Sequence, residues 1–451
     1  MKITLIGAAG VRTPLLVHGL AQAGDSLNVE ELAFWDIDSE RLKAMARVAS
    51  AMAKRSGMRA RLRTCGTAEE ALEGASYVIT SIRAGGIEAR IKDETIALAN
   101  GLVGQETVGA GGFACAMRNL AVMLEYAQLI ERIAPRATVI NFTNPVGIIS
   151  QGLLNHSNLN VVGVCDTPLE TFESIAQALG KNPFQLNFDY LGLNHLGWVR
   201  SIRDEWGAEL MPKVLGSAEV IGKCYRHGLF PAEFIQKLEL LPTEYLYFYY
   251  FPEIAYKNTR RSGQSRGQAI AGMNAELFKK LVQASDDELA ELYENYLRER
   301  NASYFSIEAT AGERQKRDQL LYSAFSGYER IALLVLQAMH SETPSTIPLT
   351  VRNGGALADL ERDDAVELPC QVSAQGIKVP PVGHAPEAVK ALLLRVKEYE
   401  RLTVEACVDR SKEAAVSALE RNPLVAEREL AEKVLREYVQ AFGQQMRLRA
   451  A

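Results

Sequence analysis

A cysteine and a histidine, Cys165 and His195, lie thirty residues apart, and each follows a short run of apolar residues. Thiolate sulfur and neutral imidazole nitrogen are both metal ligands in proteins. The two residues are therefore a candidate site for a divalent metal ion. Free cysteine is also among the residues most often buried in protein cores, so two ordinary core side chains are the alternative at this point.

A turn with two glycines follows the first strand-like run and leads into a helical pattern. Gly7 permits a tight turn, and Gly10 allows the backbone to approach a pyrophosphate at the helix N-terminus. Asp36, at the end of the second strand-like run, is suited to bind the ribose diol of NAD and to repel the 2′-phosphate of NADP. The third glycine of the usual fingerprint is absent, so an ordinary turn with a surface aspartate is the alternative. The predicted NAD-binding residues are Gly7, Gly10, Val11, Arg12 and Asp36.

Polar residues also follow the later strand-like runs, at the sheet edge where doubly wound proteins bind their ligands. Arg83 and Arg90 stand on either side of a Gly-Gly pair in a predicted loop. They can clamp an anionic group in the fork geometry that suits phosphate, although a surface position is the ordinary alternative for each. Asn144, directly before a proline, is a candidate to hold both nicotinamide and a substrate hydroxyl.

The elements that must position these residues alternate between strands and helices in the first two hundred residues. The strand-like runs are Ile3–Ile6, Leu32–Ile37, Tyr77–Ile82, Thr138–Phe142 and Val161–Val164. Helical patterns lie between them near 13–24, 39–57, 67–74, 114–133 and 145–155. This alternation is typical of βαβ units in a parallel sheet.

Long charged helical patterns dominate the second half, with short extended pieces between them. The helical patterns are 268–300, 326–341, 386–409 and 424–441, and the extended pieces are Pro348–Arg352 and Ala365–Val372. We therefore predict an α/β protein with a Rossmann-like, doubly wound parallel sheet in an NAD-binding domain of residues 1–197. A mostly helical α+β domain for catalysis and oligomerisation is expected over residues 198–451.

Composition excludes several classes of partner. A formal net charge of −5 and a pI near 5.9 give no reason to expect nucleic acid. No apolar run reaches the ~18 residues that a membrane-spanning helix needs, and the first residues form a strand pattern rather than a secretion signal. The six cysteines lie far apart without a CxxC pair, which argues against a disulfide framework. We expect a cytoplasmic protein.

Longer stretches of the chain resemble the family 4 glycoside hydrolases, and within that family the 6-phospho-β-glucosidases. The similar stretches are SIRAGG, GLVGQETVGAGGFACAMRN, NFTNPVG, GLNHL, EYLYFYY, LTVRNGG, VELPC and YERLTVEACVDRS. They extend to about residue 440, so the resemblance covers both halves of the chain. NFTNP and GLNHL in this order are its most specific part.

The resemblance implies a bound divalent metal, usually Mn²⁺, held by Cys165 and His195 together with hydroxyls of the sugar. It also implies a redox-neutral cycle with NAD, which sets this family apart from glycosidases that use two carboxylates. In that cycle C3 of the glycone is oxidised, C2 is deprotonated, the aglycone is eliminated, water adds and C3 is reduced again. A metal–thiolate pair of this kind is a mismatch of hard and soft partners, so we expect an exchangeable ion.

Several further roles follow from the resemblance. Tyr245 matches the base that removes the C2 proton, and nearby metal and arginine charge is expected to lower its pKa from about 10. Arg266 matches an active-site arginine, and Glu106 matches a residue that orients or activates the base. Asp166 stands where many phospho-β-glucosidases have asparagine; it is a candidate general acid, but its charge also opposes a phosphate. The serine-rich first turn of several such enzymes is replaced here by Gly10–Arg12.

Three alternatives remain open from the sequence. The first is the same chemistry on a β-glycoside without a 6-phosphate. The second is a 2-hydroxyacid dehydrogenase of the lactate/malate type, which shares the Rossmann order and an Asn-Pro but is usually shorter. The third is an NAD-responsive sugar-binding regulator, which would need neither the cysteine–histidine pair nor Tyr245. Family members are commonly dimers or tetramers, so a homodimer or homotetramer is expected.

Overall fold

The computed structural model describes residues 1–310 and 327–449 of the chain. Its strands join in one sheet, and most of its helices lie in the second half. The strands are β1 Lys2–Ile6, β2 Glu31–Trp35, β3 Arg61–Thr64, β4 Tyr77–Thr80, β5 Thr138–Asn141, β6 Asn160–Gly163, β7 Leu186–Leu193, β8 Leu196–Asp204, β9 Leu241–Pro242, β10 Ser345–Arg352, β11 Ala365–Ser373 and β12 Gly376–Lys378.

The helices are α1 Thr13–Gln22, α2 Ser39–Arg55, α3 Ala68–Leu72, α4 Gly86–Ala99, α5 Gly109–Ile133, α6 Val146–His156, α7 Thr167–Ala178, α8 Met211–Leu215, α9 Ala218–Cys224, α10 Ala232–Leu238, α11 Leu246–Tyr250, α12 Pro252–Ser262, α13 Arg266–Gln283, α14 Leu289–Ala302, α15 Ser306–Thr310, α16 Gly327–Met339, α17 Glu387–Val408, α18 Lys412–Arg421 and α19 Arg428–Phe442. Within these described residues, no helix is both long and apolar enough to cross a membrane.

The first six strands are parallel and follow the order β3–β2–β1–β4–β5–β6. This is the doubly wound order of a dinucleotide-binding sheet, so the predicted Rossmann-like α/β fold is confirmed. The sheet continues through β10, β11, β7, β8 and β9, and β10 runs antiparallel to β6 where Thr350 faces Gly163. The division into residues 1–197 and 198–451 stays a prediction.

Neighbouring residues of the parallel strands belong to two different hydrophobic cores. Val78 and Val139 pack in one core with α5 and α6, while Ile79 and Ile140 pack in the other with α1 and α2. Because successive side chains of a strand point to opposite faces, the sheet lies between the two cores. Its buried strands present only their carboxyl ends to a ligand.

The structure corrects three element predictions. The residues after Ile82 form helix α4 rather than a long loop, and its buried face carries Arg90, Asp93 and Glu94. Hydrophobic periodicity cannot detect a helix whose buried face is polar. The helix predicted at 268–300 is two helices, α13 and α14, and α18 precedes the helix predicted at 424–441. The first residue of the helix predicted at 326–341 lies outside the described residues.

The three tryptophans occupy very different environments. Trp35 ends β2, and its carbonyl accepts hydrogen bonds from the backbone nitrogens of Gly7 (3.0 Å) and Ala8 (3.1 Å). Trp198 in β8 is fully buried and donates its indole hydrogen to Tyr250. Trp206 follows β8 in a turn and is 79% exposed.

Candidate active site

A single cavity gathers most of the residues that the sequence singles out. It opens at the carboxyl ends of the parallel strands and has a volume of about 110 Å³. The predicted site residues that line it are Arg12, Arg90, Glu106, Asn144, Cys165, Asp166, His195, Tyr245 and Arg266. A smaller cavity beside the first turn is lined by Gly7 and Gly10, and it shares Arg12 and Tyr328 with the large one.

The cysteine and the histidine meet in this cavity. Cys165 Sγ lies 3.5 Å from His195 Nε2, and the other ring nitrogen, Nδ1, lies 3.1 Å from the hydroxyl of Thr107. Gln105 fixes Thr107 by accepting its hydroxyl hydrogen at 2.8 Å. Burial lowers the pKa of His195 to about 4, so its imidazole is neutral. Burial raises the pKa of the Cys165 thiol, so this thiol loses its proton readily only beside a cation.

The donor set fits an open divalent-metal site. Across the described ranges, no cluster of three or more His, Cys, Asp or Glu side chains could enclose an ion. The protein therefore offers Cys165 and His195 and leaves further coordination positions for other ligands, as catalytic metal sites do. Asn144 supplies a second polar contact nearby: its Oδ1 is buried and has no hydrogen-bond partner among the described residues.

Tyr245 lies directly against the metal-binding candidate. Its ring stacks on the His195 imidazole with centroids 3.7 Å apart and an interplanar angle of 1°. Its hydroxyl accepts a hydrogen bond from Tyr304 at 2.9 Å. Burial raises the pKa of Tyr245, and the Tyr304 contact only partly opposes this shift. The protein groups alone therefore do not produce the lowered pKa expected for a base.

Arg266 explains part of that difference. It lines the cavity, but its guanidinium donates to the backbone carbonyls of Ser303 at 2.9 Å and Arg300 at 3.2 Å. These carbonyls lie at the C-terminal end of α14, where a cation is stabilised by the helix dipole. Its charge is thus directed to a helix end rather than to the Tyr245 hydroxyl.

Glu106 joins the two arginines that the sequence proposes for an anion. Its carboxylate lies 3.0 Å from Arg83 and 3.0 Å from Arg90, and Arg90 also pairs with Glu94 at 2.8 Å. Although burial opposes the shift, the two arginines hold the pKa of Glu106 below its ordinary value. Arg90 lines the cavity, whereas Arg83 pairs with Glu106 and is not among the described residues that line it.

Arg12 extends from the first turn into the large cavity. Its guanidinium lies 3.5 Å from Asp166 and 4.2 Å above the ring of Tyr328. A cation placed over an aromatic face is attracted by the ring quadrupole. Arg12 therefore connects the predicted dinucleotide turn to the residue beside Cys165, a contact that sequence spacing does not reveal.

The remaining predicted cofactor residues form the turn itself. Gly7 has φ +90°, and a Cβ there would lie 2.4 Å from the Ser81 carbonyl oxygen, so only glycine fits. Asp36 accepts the backbone hydrogen of Ala9 at 3.0 Å, which ties its half-buried carboxylate to the turn. Val11 contributes its carbonyl, which accepts the Tyr293 hydroxyl at 2.7 Å.

Several cavity residues were missed from the sequence. They are Glu170, Arg226, Arg300, Tyr304 and Tyr328. Glu170 lies one helical turn after Asp166 and pairs with Arg226 at 3.3 Å. The others lie on helices or helix ends of the second half, and nothing in their local pattern separates them from surface residues. Thr107, which contacts His195, could have been predicted, because it directly follows Glu106 in the GQET segment.

Two family models match almost the whole chain. The family 4 glycosyl hydrolase model matches residues 2–181, and the model of the family 4 glycosyl hydrolase C-terminal domain matches residues 190–425. A probable 6-phospho-beta-glucosidase of Bacillus subtilis is 28% identical over 459 residues, which cover 98% of this chain and 96% of that protein.

Solved structures agree with these matches. The 6-phospho-beta glucosidase from Thermotoga maritima, determined with manganese, NAD+ and glucose-6-phosphate, has a TM-score of 0.82 and 28% identity over 100% of both chains. Malate dehydrogenase from Plasmodium falciparum in complex with NADH has a TM-score of 0.50 and 15% identity, covering 91% of this chain and 99% of that one. At that identity the second likeness concerns the fold alone.

Proposed function

The chain belongs to glycosyl hydrolase family 4, and from this premise we propose that it hydrolyses 6-phospho-β-glucosides with NAD and a divalent metal, Mn²⁺ first among them. The observation that carries the proposal is the Cys165–His195 pair, with Tyr245 stacked on its imidazole, at the cavity beside the dinucleotide turn. A hydroxyacid dehydrogenase or a sugar-binding regulator has no use for this set of three side chains.

In this proposal Cys165 Sγ and His195 Nε2 would hold the metal. The dinucleotide would be bound by Gly7, Gly10, Val11, Arg12 and Asp36. When bound, NAD would accept a hydride from C3 of the glycone and return it later, while the metal would polarise the C3 oxygen as a Lewis acid. Asn144 Oδ1, which lacks a partner among the described residues, would accept a hydrogen bond from a substrate hydroxyl.

The chain's own groups would move the protons. Tyr245 would accept the proton from C2, and its burial means that the positive charge of the bound groups must favour the phenolate. Asp166 would give a proton to the aglycone oxygen as the bond to C1 breaks. Glu106, fixed between its two arginines, would keep the site's charge and hydrogen-bond geometry constant through the cycle.

The proposal also assigns residues that would bind the 6-phosphate of the substrate. We assign it to Arg90 or Arg83, supported by the phosphorylated substrates named for the relatives. A charge-assisted contact contributes roughly 1.5–3 kcal/mol, or about one to two decades of kcat/KM. Because Glu106 already pairs with both arginines, hydrolysis of the unphosphorylated β-glucoside is the second candidate.

One experiment separates these candidates: hydrolysis of nitrophenyl β-glucosides with and without a 6-phosphate, each with NAD⁺ and Mn²⁺. We expect the phosphorylated substrate to be preferred by about tenfold or more, and Arg90→Ala and Arg83→Ala to show which arginine sets the preference. Turnover should require NAD⁺ without accumulation of NADH. Comparable rates on both glucosides would favour the second candidate, and NADH formed in step with product would refute the redox-neutral cycle.

We also propose a homodimer or homotetramer. Phe184 and Trp206, each 79% exposed, flank the open end of the β7–β8 hairpin, where Leu186 pairs with Asp204. Contact surfaces contain contiguous exposed apolar patches, and this end of the hairpin is our candidate for one. Light scattering of the protein eluted from a size-exclusion column gives the mass of the oligomer. A monomer would refute the proposed oligomer without affecting the proposed catalytic activity.

A further inference from the structure

His195 adopts a backbone conformation that needs support. It is the second residue of the two-residue turn between β7 and β8, and its φ is +63°. Residues other than glycine rarely occupy this left-handed region, and they do so at an energetic cost. The turn nevertheless directs the imidazole toward Cys165, so neighbouring groups must hold it in place.

A buried carboxylate behind the turn supplies this support. Glu367 lies on β11 directly opposite Gly192 of β7 and is 2% exposed. Its Oε1 accepts a hydrogen bond from the side chain of Asn194 at 3.2 Å, and Asn194 is the first residue of the turn. The carboxylate thus contacts the turn one residue before His195, from outside the metal-binding cavity.

The second oxygen of the same carboxylate ties down the hairpin. Glu367 Oε2 accepts the hydroxyl hydrogen of Tyr190 on β7 at 2.7 Å. That hydroxyl occupies space left by Gly197 on β8, where a Cβ would lie only 1.9 Å from the Tyr190 oxygen. The carboxylate therefore binds both the strand and the turn of the hairpin through Tyr190 and Asn194, and Gly197 leaves room for the Tyr190 hydroxyl.

The charge of Glu367 is unusual for a purely structural position. Among the described residues no Lys, Arg or His forms an ion pair with it, and burial raises its pKa to about 7. A buried carboxyl without a cationic partner destabilises a fold compared with an apolar residue. Groups that break such a rule are expected at functional sites.

We propose that Glu367 is a positioning residue for the metal site: with Tyr190 and Asn194 it fixes the β7–β8 turn so that His195 Nε2 faces Cys165 Sγ. The inference rests on the proposed metal dependence of the enzyme. It adds a residue that holds the turn without itself being a ligand of the metal. Outer partners of this kind typically change metal affinity about 10–100-fold when they are removed.

Direct Mn²⁺ binding to the full-length protein tests this inference. Free Mn²⁺ is measured by electron paramagnetic resonance during titration of wild type, Glu367→Ala, Glu367→Gln and Tyr190→Phe. We expect Glu367→Ala to weaken binding by about 10–100-fold. Glu367→Gln keeps one hydrogen-bond acceptor and should recover part of the lost Mn²⁺ affinity. The Mn²⁺ affinity of Tyr190→Phe should lie between those of Glu367→Gln and wild type. NAD binding should stay unchanged in all of them.

Val366→Ala is the matched control. Val366 is the fully buried neighbour on β11, and its side chain points to the opposite face of the sheet from that of Glu367. Its truncation should therefore lower stability without removing the contact to Asn194. Its Mn²⁺ affinity should equal that of wild type. The inference would be overturned if Glu367→Ala bound Mn²⁺ as tightly as wild type. If Glu367→Ala does not fold, an unchanged Mn²⁺ affinity of Tyr190→Phe would overturn it. A wild type that binds no Mn²⁺ would overturn it together with the proposed metal dependence.

Discussion

Burial sets the protonation state of each central side chain in the cavity. The same desolvation makes His195 neutral, keeps Cys165 as a thiol and disfavours the phenolate of Tyr245. The proposed chemistry needs the neutral His195, but it needs Cys165 as a thiolate and Tyr245 as a phenolate. Cations in the cavity must therefore supply the driving force for the other two.

Removal of either proposed ligand should separate metal binding from dinucleotide binding. We expect Cys165→Ser and His195→Ala to abolish Mn²⁺-dependent hydrolysis, because each leaves a single protein ligand. NAD binding should persist, since the Gly7 turn does not contact either side chain. Calorimetric titration with Mn²⁺ and NAD⁺ measures both. Normal specific activity of the folded fraction would mean that the pair is an ordinary part of the core.

Tyr245→Phe should keep the ring stacked on His195 while it removes the base. With a substrate deuterated at C2, wild type should exchange the label with solvent and the variant should retain it. Tyr247→Phe is the control, because Tyr247 lies in the adjacent helix and its hydroxyl donates to the Glu308 carbonyl at 3.3 Å. Label retention by active wild type would exclude deprotonation at C2.

Glu329 on α16 predicts a pH dependence of stability. It packs against Gly19, its Oε2 lacks a hydrogen-bond partner within the described residues, and burial raises its pKa from 4.5 to about 8. Because the pKa of Glu329 is higher in the folded than in the unfolded state, its contribution to the free energy of unfolding is complete below pH 4.5. This contribution is lost as the pH rises through about 8. Glu329→Gln should remove that loss.

Denaturant unfolding of both proteins, well below and well above the raised pKa, checks this prediction. The variant should be more stable than wild type by about 1–3 kcal/mol only on the alkaline side. A constant difference at both pH values would mean that the carboxyl does not titrate differently in the folded state.

At the scale of elements, the sequence predicts strands that are apolar throughout and helices whose two sides differ in hydrophobicity. The five buried parallel strands are apolar and are found within two residues of their predicted ends. β3 is missed because its sequence RLRT is charged and lies at the sheet edge. The β7–β8 hairpin is missed because its turn is Asn194–His195 instead of the glycine-containing pairs that mark such turns. The cavity residues on α14 and α16 come together only through packing.

The first turn gives a prediction at this scale. Gly7→Ala should abolish NAD binding and lower stability, because it combines a positive φ with a Cβ 2.4 Å from the Ser81 oxygen. Gly57→Ala isolates the first effect, since Gly57 has φ +69° and open space around its Cβ position. The control should lose only the roughly 1–2 kcal/mol of the left-handed conformation. Equal losses in both variants would show that the turn tolerates a side chain.

At the scale of the molecule, one sheet carries both the dinucleotide turn and the metal-binding candidate. β10 and β11 come from the second half of the chain, yet they lie between β6 and the β7–β8 hairpin. Cys165 follows β6 and His195 lies in the hairpin turn, so β10 and β11 separate, within the sheet, the strands that carry this pair. No local pattern could have indicated this arrangement.

This continuity predicts that the two halves unfold together. Thermal unfolding followed by far-ultraviolet and near-ultraviolet circular dichroism should give coincident transitions, since loss of either half exposes a sheet edge of the other. NAD⁺ should raise the midpoint of the whole transition. Two separated transitions, of which NAD⁺ shifts only one, would contradict this expectation.

The placement of the tryptophans gives the protein a set of optical reporters. Trp35 holds the turn of Gly7, so its emission should decrease by energy transfer to a reduced nicotinamide bound nearby. Trp198 sits inside the hairpin that carries His195 and is shielded from dissolved quenchers, whereas Trp206 is open to them. Quenching of Trp206 by iodide would therefore leave the fluorescence of Trp35 and Trp198. Their fluorescence could then report dinucleotide binding and the order of the hairpin in the unlabelled enzyme.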